Sequence, residues 1–350
     1  MHEAEPLLQL SDVATEFVGF VAFFLSAGAV GFRYSALGSR FADTARAEQG
    51  VYANAAQRAA TLGVIGAVVQ AVFLYQRLSR TAGAKHLTLV QAATANSTST
   101  AGAILLIVAV LGLALAAGRQ RIGWPLAALG VVGGALSGVL GGQWARLVNP
   151  VHELVGGLWI GSLLMLVVAG LATVLSDSSS RDRRGSIAAE MVNGFSPLAL
   201  VCGGLLVLSG LITAWKHLNP LSSLWTTPYG YALIVKLLLA AATFSLGAWN
   251  WRRQRPSLGT ESGAVAIRRS STYELVAATL VLVATAVVVS LPSPRPPKPA
   301  GAPGMPGAEG APAGAPGASA PGDADDDHAP AGVPAAGAGG VTPSVPPAAR

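Results

Sequence analysis

Val151-His152-Glu153-Leu154-Val155-Gly156-Gly157-Leu158-Trp159-Ile160-Gly161 opens a long apolar run, and the only His, Glu and Trp of that run fall within its first three turns. Apolar runs of about 20 residues are long enough to cross the hydrocarbon of a bilayer. An ionisable residue at the mouth of such a span is costly to keep there, which makes it a functional-site candidate. His152 and Trp159 are seven apart, two helical turns, so they share one face, and Gly156 leaves room on nearly the same face. Two readings of His152 stand side by side: a ligand at the mouth of a span, and an interfacial histidine at a helix start.

The rest of the chain agrees with a membrane setting. Hydrophobic residues make up 52% and charged residues 11% of the 350, whereas soluble domains carry about a quarter charged residues. One cysteine, Cys202, excludes an internal disulfide and any paired-cysteine site. The first residues, Met1-His2-Glu3-Ala4-Glu5-Pro6, are acidic where a signal peptide is basic, so the first apolar run is expected to be retained. A net charge of +6 does not indicate nucleic acid, because the arginines lie in short loops between apolar runs.

Eight apolar runs, near 13–32, 54–76, 100–117, 124–142, 151–175, 196–215, 230–250 and 273–291, predict an all-α membrane protein of about eight transmembrane helices. Alternate loops (33–53, 118–123, 176–195, 251–272) hold thirteen Lys or Arg and the opposite ones five. The rule that cationic loops stay inside then puts the first set in the cytoplasm and both termini outside, with 77–99 as a basic exception. All five histidines, His2, His86, His152, His217 and His328, fall on the external side in that scheme. The expected organisation is a four-helix half over 1–149, a second over 150–294, and a Pro/Gly/Ala-rich tail over 295–350 too poor in large apolar residues to fold.

Gly130, Gly134, Gly138 and Gly142 in run four, and Gly157 and Gly161 in run five, are small residues at four-residue spacing. Such faces let helix backbones approach closely, so both runs are expected to pack among other helices. Trp124, Trp249 and Trp251 near one boundary and Trp144, Trp215 and Trp225 near the other form an aromatic belt. The acidic Asp323-Ala324-Asp325-Asp326-Asp327-His328 in the tail has two readings, a weak divalent-cation site and, more commonly for such a run, a solvated charge cluster.

The chemistry-bearing motifs of common enzymes are absent: no phosphate loop, dinucleotide fingerprint, nucleophile elbow or HExxH. The expectation is a protein that is not an enzyme. Lys236, two turns into run seven, either snorkels to the outer boundary or pairs with Glu153. Asn250 and Glu274 fall at the inner ends of neighbouring runs and are expected to meet. Met165 and Cys202 lie at broadly similar depth by counting inward along their helices; they are a thioether and thiol pair of the kind Cu(I) favours, or else ordinary apolar fillers.

Taken together, several phrases resemble the copper-resistance D (CopD/PcoD) family of inner-membrane proteins: His152...Trp159-Ile160-Gly161, Phe195 with Leu208-Ser209-Gly210-Leu211, Thr227-Pro228-Tyr229-Gly230...Lys236, Asn250-Trp251-Arg252-Arg253, and Tyr273-Glu274 before Pro292-Ser293-Pro294. Order and spacing match over about 140 residues, 150 to 294. The resemblance implies copper handling at the bacterial inner membrane, often beside a periplasmic copper-binding partner of the CopC type. On that basis the candidate metal residues are His152, aided by His217, with Met165 and Cys202 deeper, and with Trp159, Lys236 and Glu153 around them; copper itself is the expected substrate or ligand. With only four methionines, one of them the initiator, the chain is not built for bulk sequestration. Where the family tends to have Arg after the Tyr-Gly pair, this chain has Tyr231. Two functions remain open, a copper permease and a non-transporting partner of a copper chaperone or cuproenzyme assembly factor. A haem or quinone carrier would need paired histidines inside spans.

The charge asymmetry generates a direct expectation. Reporter fusions at residues 180 and 300 are predicted to give cytoplasmic and external signals respectively; the reverse, or one side for both, would overturn the orientation.

Overall fold

The computed structural model describes residues 8–38, 46–140, 147–178, 181–217, 222–254 and 259–291, and their side chains apart from those of 46–48, 139, 140, 216, 217 and 254. His2, His328, Trp144 and the tail expected over 295–350 lie outside the described residues, as does the side chain of His217. Within them the chain is helical, without a strand. The principal helices are α1 Leu10–Leu37, α2 Arg46–Lys85, α3 Ser97–Ala117, α4 Gly123–Ala135, α5 Val148–Ser176, α6 Arg184–His217, α7 Pro228–Gln254 and α8 Glu261–Ser290.

Their starts are written in the sequence. Asn96 accepts a hydrogen bond from the Ser99 amide at 2.8 Å at the head of α3. Thr260 does the same for the Gly263 amide at the head of α8. Thr227 accepts from the Gly230 amide and is followed by Pro228 at the first helical position of α7. A side-chain acceptor for an orphan amide and a proline in the first turn are helix-start devices. Pro197 sits inside α6, a position membrane helices tolerate because neighbouring groups take up the freed carbonyls.

Seven of these helices are long and apolar enough to cross a membrane; α4, at 13 residues, is shorter. Pairings along the helices nevertheless show that the chain reverses at α4. Gly112 lies against Ala127, Gly123 against Ala116 and Gly130 against Ala109, so α4 runs antiparallel to α3 over nearly its whole length. Phe23, Gly28 and Gly31 of α1 meet Gly157, Gly161 and Ser162 of α5 in rising order, so α1 and α5 are parallel. Four reversals separate two parallel helices at positions one and five, and the fourth must be supplied by α4. The eight-pass reading of the sequence therefore holds, with one pass made by a short helix extended by the single turn Ser137–Leu140.

The segment 77–99, read as a loop, differs. Helix α2 continues to Lys85 as a 40-residue helix, about 60 Å at 1.5 Å per residue, twice the hydrocarbon thickness. Arg77, Arg80 and Lys85 therefore ride on a helical extension that stands clear of the apolar layer, where cations cost little. A capped helical turn, Leu89–Ala93, follows.

The core is where the backbones touch. A Cβ on Gly161 would lie 2.1 Å from the Phe24 carbonyl oxygen and 2.8 Å from the Gly28 Cα, and one on Gly28 would lie 2.2 Å from the Gly161 carbonyl carbon. No side chain larger than hydrogen fits there. At the α1–α2 crossing, a Cβ on Gly66 would be 2.3 Å from the Ala22 carbonyl oxygen, and the buried Ser26 accepts from Gln70 at 2.9 Å. Of the long spans, α5 is the most enclosed, 61% buried over its apolar window against 39% for the next. Its turns at Gly157–Gly161 and Leu166–Leu171 are widened to π geometry, a feature concentrated at functional sites. Buried core residues come from both sequence halves, Ala27, Phe32, Ala59 and Leu113 from the first and Leu163, Met165, Met191 and Ile267 from the second.

The glycine faces are not all equivalent, and this is testable. Gly161→Ala is expected to force α1 and α5 apart and to cost about 1–3 kcal/mol or more, read as a lower melting temperature in detergent. Gly138→Ala, where a Cβ would meet nothing within 4 Å, is expected to be neutral or slightly stabilising. Equal tolerance of both would refute a packed α1–α5 crossing.

Candidate functional site

The site grows from the register of α5 against α6. Thr213 donates to the Asn149 side-chain oxygen at 3.2 Å, and His152 Nδ1 lies 2.9 Å from Ser209 Oγ. Deeper along the same pair, Gly156 faces Leu206 and Gly170 faces Met191. The helices are antiparallel, and a chain of facing residues fixes their register. His152 is half-buried in this seam. Gly210 lies beside its ring: a Cβ there would sit 3.4 Å from His152 Cε1, in van der Waals contact.

The hydrogen-bond pattern suits one tautomer of His152. Ser209 Oγ is 2.6 Å from the Leu205 carbonyl oxygen, a contact that needs the hydroxyl proton between the two oxygens. With its proton on the Leu205 carbonyl, Ser209 meets His152 as an acceptor, which suits the tautomer that carries its hydrogen on Nδ1. Nε2 is left with its lone pair available. A ring held through one nitrogen and offering the other is the arrangement in which metal-ligating histidines are usually found.

Titratable residues from three further positions lie at this end of the helices. Glu153, the next residue on α5, interacts electrostatically with Glu16 of α1, which puts two carboxyls at the same mouth. Lys236 of α7 acts on His152 through its charge, and among the described residues no ion pair joins Lys236 to Glu153. Of the two sequence readings of Lys236, direct pairing with Glu153 is not the one adopted. Below the ring, Trp159 stacks on Phe244 of α7, centroids 4.8 Å apart and planes at 20°. Gly203 of α6 makes space for that stack, since a Cβ there would be 3.0 Å from the Phe244 ring.

The deeper sulfurs are placed differently from the expectation of similar depth. The α5–α6 register sets Cys202 level with Trp159 and Met165 level with Ser196. Six residues at 1.5 Å put the two sulfur levels roughly 9 Å apart along the helices. Both are buried, Met165 completely, and Met191, which the sequence reading passed over, is buried completely as well. Among the described residues no group of three or more His, Cys, Asp or Glu is placed to hold a metal ion. His86 and the backbone of His217 end α2 and α6, on the same side of the helical layer as His152 by the alternation of helix directions. Asn250 donates to Glu274 at the opposite end, the contact expected from sequence.

Sequence reasoning singled out His152, Glu153, Trp159 and Lys236, and the structure brings all four to one mouth. It missed Ser209 as the partner of His152, Phe244 under Trp159, and Glu16, whose helix is more than a hundred residues away in sequence. The one available signal was the Ser209-Gly210 pair, a small polar residue beside a space-giving glycine.

With this geometry in place, comparisons with known proteins become informative. Residues 189–288 match the family model for copper resistance protein D. Over 151 residues the chain is 32% identical to the copper transport protein CutJ of Bacillus subtilis (strain 168), a stretch covering 43% of this chain and 26% of that relative. The chain thus matches about a quarter of the relative's length. No solved structure matches. The segment 189–288, which is similar to copper resistance protein D, carries Ser209, Phe244 and Lys236.

Proposed function

We propose that this chain passes copper ions across the bacterial cytoplasmic membrane, inward, with His152 as the ligand that receives the ion at the outer mouth of α5. The observation that carries the reading is the His152–Ser209 contact at 2.9 Å, which suits a ring held through Nδ1 with Nε2 free for an ion. The Glu16 and Glu153 carboxyls at the same mouth favour cations nearby. The match of residues 189–288 to the copper resistance protein D model and likeness to a protein named as a copper transporter support copper as the substrate. A single firm nitrogen suits a conducting site, where an ion must bind well enough to be recruited and weakly enough to leave. Met165 and Cys202, on separate levels, are then successive soft-donor positions rather than one chelate. The protein acts as a carrier, not an enzyme, with both termini outside.

One observation favours a second reading. No group of three or more candidate ligands is assembled among the described residues, so the remaining ligands of an ion at His152 would come from elsewhere. A periplasmic copper-binding protein of the CopC type, docking at the outer mouth and handing over its ion, would supply them. In that case the chain is a membrane partner in metal transfer.

Purified protein in liposomes separates the two, since it moves copper in the first case and requires the donor protein in the second. In either, His152→Ala and His152→Gln are expected to insert at normal levels and to lose copper uptake alike, because an amide has the size but not the ligating strength of imidazole. Ser209→Ala is expected to weaken copper binding about 10–100-fold, the usual effect of losing a residue that orients a ligand, and Ser209→Thr to keep it. Full copper uptake by the Gln variant would make His152 a packing residue and move the search to His217, Met165 and Cys202.

A further inference from the structure

At the end of the helical layer opposite His152, the last turn of α5, the start of α6 and one face of α8 enclose a cleft of about 420 Å³. Its wall is ordered. Arg184 donates to Glu261 at 2.8 Å and to the Asp177 carbonyl at 2.8 Å, tying the three elements together and offsetting one charge with another. Arg268 and Arg269 then add two positive charges to the lining, and Glu261 is the only carboxylate there. Arg268 has no carboxylate partner among the described residues, and Arg269 points its Nε only at the Tyr273 hydroxyl, 3.4 Å away. The cleft is therefore net cationic.

The surface below it is apolar. Val265, Arg268, Arg269 and Thr272 share a face of α8, and that face continues through Val276, Leu280 and Val283, each 41–56% exposed. Arg269 stands eight residues, about 12 Å, into α8, and from Leu275 onward the helix carries no charge. A cationic cleft thus crowns a continuous apolar strip at the boundary where headgroups give way to acyl chains. Free phosphate would use only the crown. A phospholipid with an anionic headgroup would use both, its phosphate between Arg268 and Arg269 and an acyl chain along Val276, Leu280 and Val283. Basic pockets between membrane helices bind such headgroups by this division of labour.

We propose that this cleft is a binding site for an anionic phospholipid of the leaflet at the arginine-rich end of the protein. The test is retention of phosphatidylglycerol against phosphatidylcholine by the full chain purified from mixed micelles, read by native mass spectrometry. Wild type is expected to retain phosphatidylglycerol preferentially. Arg268→Gln is expected to weaken it about fivefold and the double variant with Arg269→Gln roughly thirtyfold, from the typical effect of each basic residue at an anionic surface. Arg252→Gln with Arg253→Gln, at the same end of the layer but outside the cleft, is expected to change little. Three results would overturn the proposal: unchanged retention in the Arg268 and Arg269 variants, equal loss in the α7 variants, or displacement of the lipid by millimolar inorganic phosphate, which would make the cleft a simple anion site.

Discussion

Everything at the candidate site hangs on the crossing of α1 and α5 at Gly28 and Gly161. In lipid there is no hydrophobic gain from helix association, so close backbone contact through van der Waals packing has to hold helices together. The α1–α5 contact is close enough that a single methyl group would collide with main-chain atoms on the other helix. This crossing leaves α5 more buried than any other long span, makes α1 and α5 parallel, and brings the first turns of α1, with Glu16, to the first turns of α5, with His152 and Glu153. The widened turn Gly157–Gly161 lies at the crossing itself. A local change in helix geometry there re-aims the residues above it, which are the ones with chemistry.

On that rigid post, α6 adds orientation and α7 adds a cover. Ser209 contributes no charge and is not itself a strong ligand, but its hydroxyl lies 2.6 Å from the Leu205 carbonyl, which suits the role of acceptor toward His152 Nδ1. Trp159 on Phe244 closes the space beneath with a stacked pair. This end of the helices therefore joins the His152 ring and the Glu16 and Glu153 side chains above the stacked Trp159–Phe244 pair. The opposite end has the reverse character, with arginines and a cationic cleft.

How much of this was legible in the sequence differs from residue to residue, for physical reasons. The helices were legible because apolar length and start signals such as Asn96, Thr260 and Thr227-Pro228 are local. Eight passes followed from hydropathy, although α4 is short and its crossing is established only by its antiparallel seat on α3. His152 stood out because a titratable residue in an apolar run is anomalous wherever the run packs. Asn250 and Glu274 could be matched because two helices joined by a short connection meet at their near ends. The partner of His152 was hidden, since whether Ser209 or a neighbour faces it depends on register to a single residue, set by distant contacts such as Gly156 with Leu206 and Gly170 with Met191. The same register corrects the levels of Met165 and Cys202, because counting from helix ends cannot see where α6 begins relative to α5. Glu16 was hidden for a third reason, its approach to Glu153 being a consequence of the glycine crossing rather than of any spacing in the chain.

The central claim is that His152 offers a bare Nε2 to the ion because Ser209 holds Nδ1–H. Solid-state NMR of ¹⁵N-histidine-labelled protein in lipid reads this directly, with the His152 signals assigned by their loss in His152→Gln. The account predicts a ring protonated at Nδ1 and bare at Nε2 without metal, and a shift of the Nε2 resonance on adding Ag(I) or Cu(I) while the Nδ1 proton stays. A ring protonated at Nε2, or a spectrum that the metal leaves unchanged, would contradict it.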